Sequence, residues 1–314
     1  MNLTVELERL VRDCAGKCMI CGSAFNDHDT EHVGYDENLT PLVVGDCHAG
    51  LLSETVIRYS YSKPIYSIPP RSTVVWRYMD FSKFMALINS KSLFFTRTDR
   101  FEDPFEGAKG PLSRKQIWDD YYLEVMRTAI RNPPPGYVVT LSDDEVEKRA
   151  VELFQQLETA GNRDRTTTFV SCWYESEYES DAMWKLFSRE AGYMVAISST
   201  VDQLIMSLGD NPHIKIGRVN YIDYNKSYAP INGAVFMKRK CFEHEKEIRA
   251  VIRIMKDPPE YGYQAPVDLH QLISSIHVSP VSDNWFADLV RDATKMYGVN
   301  APVIQSTLRD KPFF

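Results

Sequence analysis

Residues Thr73 to Thr96 read TVVWRYMDFSKFMALINSKSLFFT, and this stretch decides the fold class. Its first part, Thr73 to Arg77, is a β-branched and aromatic run with the composition of a strand. Asp80 or Ser82 then offers an N-terminal cap to a helix whose Phe84, Leu87 and Ile88 share one face at i, i+3, i+4 spacing. Leu93 to Thr96 returns to strand composition, so the stretch predicts strand, helix, strand. No glycine-rich phosphate loop follows the first strand, which argues against a doubly wound nucleotide-binding sheet.

Downstream, the pattern predicts strands at Thr167 to Trp173, Tyr193 to Ser198, Arg218 to Ile222, Glu247 to Ile254 and Ser275 to Val278. Short helices are expected at Ala182 to Phe187 and Val201 to Leu208, and a closing helix at Asp283 to Met296. Ser142 with Glu145 forms a capping box ahead of the helically spaced Val146, Ala150, Phe154 and Leu157. Phe101 to Gly136, which holds FEDPFEG and NPPPG, reads as a partly irregular insertion. The sum is an α+β fold with a mixed or mainly antiparallel sheet and flanking helices.

Upstream, YSKPIYSIPPR from Tyr61 to Arg71 has three prolines and no periodicity, the signature of a stiff, extended connection. It divides the chain into a module at 1–60, a linker at 61–72 and a larger domain at 73–314. Of the six cysteines, Cys14, Cys18, Cys21 and Cys47 precede it. Residues 1–60 also carry four Lys or Arg against ten Asp or Glu, nearly all of the net charge of −7. That balance argues against a protein that holds nucleic acid by bulk positive charge. With 44% hydrophobic residues in 314, the chain is long enough to bury a sizeable core. Met1-Asn-Leu-Thr-Val-Glu has no basic or apolar leader character and no run is long enough to span a bilayer, so a cytoplasmic protein with reduced thiols is expected.

Cys18-Met-Ile-Cys21-Gly is a knuckle whose two-residue spacer lets both sulfurs reach one ion. Cys47-His48 follows, with His32-Val33-Gly34-Tyr35 between. These pieces resemble the small treble-clef zinc modules, in which a CxxCG knuckle, a His-Val-x-Tyr segment and a Cys-x-x-Cys-His end supply the ligands. Here Val44 stands where a thiolate is expected. The resemblance implies a zinc site of Cys18, Cys21 and Cys47, with Cys14, His32 or His48 completing it and His32 taken as the fourth ligand. Structural zinc, allowing a poorly apolar segment to fold, is the expected role.

In the larger domain Trp76-Arg77-Tyr78, Ser171-Cys172-Trp173 and Glu245-Lys246-Glu247-Ile248-Arg249 fall on successive predicted strands. Arg, then Ser, then Glu-x-Glu resembles the R-S-E triad of ADP-ribosyltransferase folds. A fixed Arg suits the pyrophosphate of NAD, and a carboxylate suits the positive charge that develops at the nicotinamide ribose on cleavage. The resemblance implies Arg77 on the phosphates, Glu247 on the developing cation, Ser171 orienting Glu247, and Glu245 activating the acceptor from the same strand face. Tyr78, Arg100, Trp173 and Trp184 are the further candidates for contact with NAD.

From Val74 to Val278 the chain also resembles the bacterial domain-of-unknown-function family 2971, through WRYMDFSKFMALINSKSLFFTRTDRFEDPFEG, SCWYESEYESDAMWKLFSREAGYMVAIS and CFEHEKEIRAVI. The matching positions are Arg77, the box from Phe101 to Glu106, Ser171, Asp181 with Met183 and Trp184, and Glu245, Glu247 and Arg249. No zinc module belongs to that family's core, so residues 1–60 read as an added recognition piece for a protein partner. The function expected is NAD-dependent ADP-ribosyl transfer to a protein or nucleic-acid acceptor, of the kind used by a toxin or a phage-defence effector. Two alternatives stand beside it: a non-catalytic nucleotide-sensing, partner-binding module, and a metal-dependent nuclease built on Asp103, Glu106, Glu245 and Glu247. Cys172 and Cys241 are expected to be buried.

Overall fold

The computed structural model describes residues 10, 13–14, 16–25, 30–53, 59–62, 66–132, 140–187 and 192–313. In the N-terminal region β1 (Thr30–Tyr35) pairs antiparallel with β2 (Pro41–Val44) on one edge and β3 (Tyr59–Ser62) on the other. The core beneath them is small: Cys18, Phe25, Val33, Leu42, Val43, Val44 and Leu52. So few apolar side chains leave such a module in need of a staple.

The residues that follow lie against the larger unit. Tyr66 stacks on Phe236 at 3.9 Å and covers Gly217, where any Cβ would come within 2.2 Å of its ring. The Arg218 N–H donates to the Ser67 carbonyl, and Arg71 joins Asp13 to Asp202 at 2.6 Å each.

The strand, helix, strand stretch forms as read, with β4 (Val74–Asp80), α1 (Phe81–Ser90) and β5 (Ser92–Arg97). Asp80 caps α1 by accepting from the Lys83 N–H at 2.8 Å, and Lys91, at φ 49°, turns the chain out of it. Phe84, Leu87 and Ile88 are the buried face, each worth about 1.5–3 kcal/mol of burial. The insertion after β5 is less irregular than its composition predicts, because Lys115–Arg131 forms a 17-residue helix, α2. Its sequence does carry a helical period, since Trp118, Tyr122, Met126 and Ile130 recur every four residues and form its half-buried face. It has no side-chain cap and no buried residue, and it is held against its neighbour by surface ion pairs such as Arg127 with Glu147. The end of the insertion, 133–139, lies outside the described residues. The neighbour is α3 (Asp143–Thr167), which starts on the predicted capping box of Ser142 and Glu145.

After it come β6 (Thr168–Glu175), α4 (Asp181–Phe187), β7 (Met194–Thr200), α5 (Val201–Ser207), β8 (Lys215–Arg218), β9 (Asn220–Ile222), β10 (Met237–Arg239), β11 (Glu247–Arg253), β12 (Gly262–Pro266), α6 (Leu269–Leu272), β13 (Ser275–Val278), α7 (Asn284–Met296) and β14 (Val303–Gln305). The single strand expected from Arg218 to Ile222 is two. The Val219 N–H donates to the Glu247 carbonyl, β8 stays beside β11, and β9 leaves to pair parallel with β10.

Nine strands form one mixed sheet, antiparallel except where β13 meets β14. One edge of β6 is fully paired to β11, from Thr168 to Tyr174. The other edge is shared: β5 takes Phe169 and Val170, while β4 takes Tyr174 and Glu175. The sheet therefore splits beside Ser171, Cys172 and Trp173. The main core, including Phe84, Phe95, Phe169, Trp173, Ile197 and Ile248, fills one face, and no described helix is long and apolar enough to cross a membrane.

Candidate functional site

Arg77 enters this notch from β4. Its Nη1 donates to Ser171 Oγ and its Nη2 to the Phe94 carbonyl at 3.3 Å, so one guanidinium bridges the two strands that part company there. Its Cζ lies 5.7 Å from the Trp173 ring centroid, and Trp173 Nε1 donates to the same Ser171 Oγ at 3.2 Å. Among the described residues no carboxylate lies within 4.0 Å of it. Burial disfavours its charge and pushes its pKa down, yet a guanidinium stays protonated in a protein. The notch thus holds a half-buried cation with no carboxylate partner among the described residues, the setting in which an anion binds.

Across β6 the register puts Tyr174 opposite Glu247, Cys172 opposite Arg249 and Ser171 opposite Ala250. Paired residues share a face and neighbours along a strand alternate. Glu247 therefore faces away from Ser171, and the sequence expectation that Ser171 orients it is corrected. The groups that do so are cations. Arg249, fully buried, donates from Nε to Glu247 Oε1 at 2.8 Å and from Nη2 to Oε2 at 3.1 Å, and Lys238 Nζ donates to Oε2 at 3.1 Å. The Glu247 backbone N–H is taken by Tyr221 Oη at 2.8 Å. Burial alone would push the Glu247 pKa up; Arg249 and then Lys238 outweigh it and hold the group at about 2.

Glu106, at the end of the FEDPFE box, closes the network. Its carboxylate is 1% exposed, receives Arg249 Nη2 at 2.9 Å, and lies 2.7 Å from Nη1 and 3.5 Å from Lys238 Nζ. Asp103 of the same box pairs with Arg239 at 2.9 Å. Glu245 is not on the strand as expected: it ends a 3₁₀ turn, Lys240–Glu245, and Lys246 at φ 39° reverses the chain before β11 begins. Its carboxylate still reaches Lys238 Nζ, at 2.5 Å, and so stands beside Glu247.

The remaining candidates do not converge. Tyr78 and Trp184 pack together in a separate cluster with Trp76 and Met183, and the Tyr78 Oη accepts from the Ser180 N–H at 2.8 Å. Trp173 is 2% exposed in the main core, which leaves no open ring face for nicotinamide. Arg100 lies over Tyr261, near Glu260. Cys172 is half-buried and Cys241 exposed, against the expectation of burial. Sequence reading gave no role in this network to Lys238. Lys238, in the run MKRK, carries no signal that separates it from its neighbours, whereas the box around Glu106 was visible as a motif.

In the N-terminal module the ligand atoms of Cys18, Cys21, Cys47 and His48 lie within 4.8 Å of one another. The fourth member is His48 rather than His32, whose Nε2 contacts Asp46 instead. Cys18 Sγ to His48 Nδ1 is 3.6 Å and Cys21 Sγ to Cys47 Sγ is 3.9 Å. Sulfurs bound tetrahedrally at about 2.3 Å are about 3.8 Å apart, so the spacing fits a four-coordinate ion and the Cys₃His donors fit zinc. Hydrogen bonding with Ser23 holds the Cys21 thiol at about 7. Among the described residues this is the one cluster of three or more such ligands. The carboxylates of the nuclease alternative instead meet Arg249, Lys238 and Arg239, cations standing where a metal would have to be.

No family model matches the chain and no curated protein does, so the likeness to family 2971 stays a resemblance. Among solved structures the chain is similar to Thermus sp. 2.9 DarT in complex with NAD+, at TM-score 0.36 and 10% identity over 77% of this chain and 99% of that one. It is similar also to the same protein in complex with ADP-ribosylated ssDNA, at TM-score 0.34 and 10% identity over 77% and 97%. At that level of likeness no residue role passes from them to this chain.

Proposed function

We propose that the chain is an NAD-consuming ADP-ribosyltransferase-like enzyme. The observation that carries this reading is the arrangement at the notch. Arg77, Ser171 and Glu247 stand on the adjacent strands β4, β6 and β11, and the guanidinium that reaches into the gap has no carboxylate of its own among the described residues. Arg77, anchored by Ser171, takes the pyrophosphate. Glu247, fixed and ionised on the opposite face of β6, is the carboxylate assigned to the positive charge that builds at the nicotinamide ribose, with NAD passing through the gap between β4 and β5. In the reaction the ribose C1′–N bond breaks, nicotinamide leaves with the bonding electron pair, and an acceptor nucleophile bonds to C1′ and gives up its proton. Glu245, beside Glu247 and only partly buried, is the group for that proton.

The acceptor is a protein or a nucleic acid, and the chemistry is that of a toxin or phage-defence effector. The N-terminal module holds zinc through Cys18, Cys21, Cys47 and His48 and docks a protein partner. Incubation of purified protein with NAD, with and without a cell extract, tests the reading through nicotinamide release. Release by wild type and its loss in Glu247→Gln are the expected result, and release that is unchanged in the variant overturns it.

A further inference from the structure

Glu106 has no role in the chemistry described so far, yet it is among the most deeply buried charged side chains of the domain. It lies 143 residues earlier in the chain than Arg249 and holds that guanidinium along its Nη1–Nη2 edge, next to the Nε–Nη2 edge that Glu247 takes. Arg249 is therefore clamped between two carboxylates, with its Nε and Nη2 committed to Glu247 and its Nη groups also facing Glu106. A third contact, Nη1 to the Val235 carbonyl at 2.5 Å, fixes the plane of the guanidinium. A guanidinium is a rigid planar fork, so fixing one edge of it fixes the orientation of whatever the adjacent edge holds.

We propose that Glu106 is a positioning residue for Glu247, acting through Arg249. This rests on the reading of Glu247 given above. The FEDPFE box serves this end. Asp103 accepts from the Phe105 N–H at 3.1 Å and pairs with Arg239, tying the turn to β10, and the Glu106 N–H donates to the Asp103 carbonyl at 3.1 Å. The turn thereby delivers one carboxylate to the middle of the buried network. Lys238, 3.5 Å from Glu106 and 3.1 Å from Glu247, links the same two acids by a second route. Preorganisation of a reacting carboxylate by a second layer of buried partners is the general requirement it meets.

Steady-state NAD cleavage by wild type, Glu106→Gln, Glu247→Gln and the double variant tests this. A group that acts only through Glu247 has nothing left to position once Glu247 is gone. The expected result is a kcat about 10-fold lower in Glu106→Gln at unchanged KM for NAD, and a double variant no slower than Glu247→Gln alone. Where Glu106→Gln is not recovered folded, Glu106→Asp, which keeps the charge and shortens its reach, takes its place with the same expectation. A wild-type kcat in Glu106→Gln, or a double variant slower than Glu247→Gln by the same factor as the single, overturns the proposal and leaves the reading of Glu247 standing. Absence of NAD cleavage in the wild type overturns both.

Discussion

Arg77 and Arg249 are drawn out of water beside the same strand, β6, and the chain answers the two charges differently. Arg249 is 0% exposed and is met by Glu247 and Glu106, so protein groups complete it. Arg77, half-buried in the notch, is met by a hydroxyl, a carbonyl and an indole face but by no carboxylate among the described residues. A charge completed from within is scaffold that holds its partners rigid. A charge left incomplete next to an opening in the sheet is a place for something else to bind. The division of labour proposed here follows: the notch binds, and the network across β6 holds Glu247 ready.

The contrast is sharpest in stability. Arg249→Met should destabilise the domain by about 3–5 kcal/mol, because it strands buried carboxylates without their partner. Arg77→Met, which strands only a hydroxyl and a carbonyl, should cost about 1 kcal/mol or less. Chemical denaturation of the two variants against wild type reads the difference, and equal costs would remove the distinction between the regions.

Acid should act on one region alone. Glu247 is held at about 2 in the folded chain against an ordinary value of 4.5. Its folded pKa is the lower one, so its contribution is fully present above about pH 4.5 and is lost as pH falls toward 2, amounting to roughly 3 kcal/mol. Denaturation midpoints measured from pH 7 to pH 2 should show this loss in wild type and a smaller one in Glu247→Gln.

The smallest effect separates the sequence expectation from the observed geometry. Ser171→Ala removes the acceptor that anchors Arg77, and should raise KM for NAD by about 3- to 10-fold, the worth of one hydrogen bond. It should leave kcat unchanged, because Ser171 faces away from Glu247. A fall in kcat at constant KM would instead restore Ser171 to the role of orienting the glutamate.

Where side-chain type and spacing act locally, the sequence was legible. The cap at Asp80, the box at Ser142 and Glu145, and the apolar spacing of Phe84, Leu87 and Ile88 each report their own surroundings, and β13 was legible to the residue. Arg77, Ser171, Glu245 and Glu247 were likewise visible as chemistry. What pairs with them was not, because that is set by register between distant strands. Ser171 and Glu247 part company by one residue of alternation across β6 and β11, and Glu245 leaves the strand at Lys246, whose positive φ no pattern forecasts. His48 replaces His32 in the cysteine cluster for a similar reason: Asp46 lies within reach of the His32 ring and takes it up.

The most direct test of this division is the kinetics of NAD cleavage by Arg77→Gln and Glu247→Gln side by side. The account predicts that Arg77→Gln raises KM by about 10- to 100-fold with kcat largely kept, the worth of hydrogen bonds to a charged group. It predicts that Glu247→Gln lowers kcat by about 100- to 1,000-fold with KM kept, the scale of losing one preorganised charge at the reacting centre. Both variants changing the same parameter, or neither changing any, would contradict it.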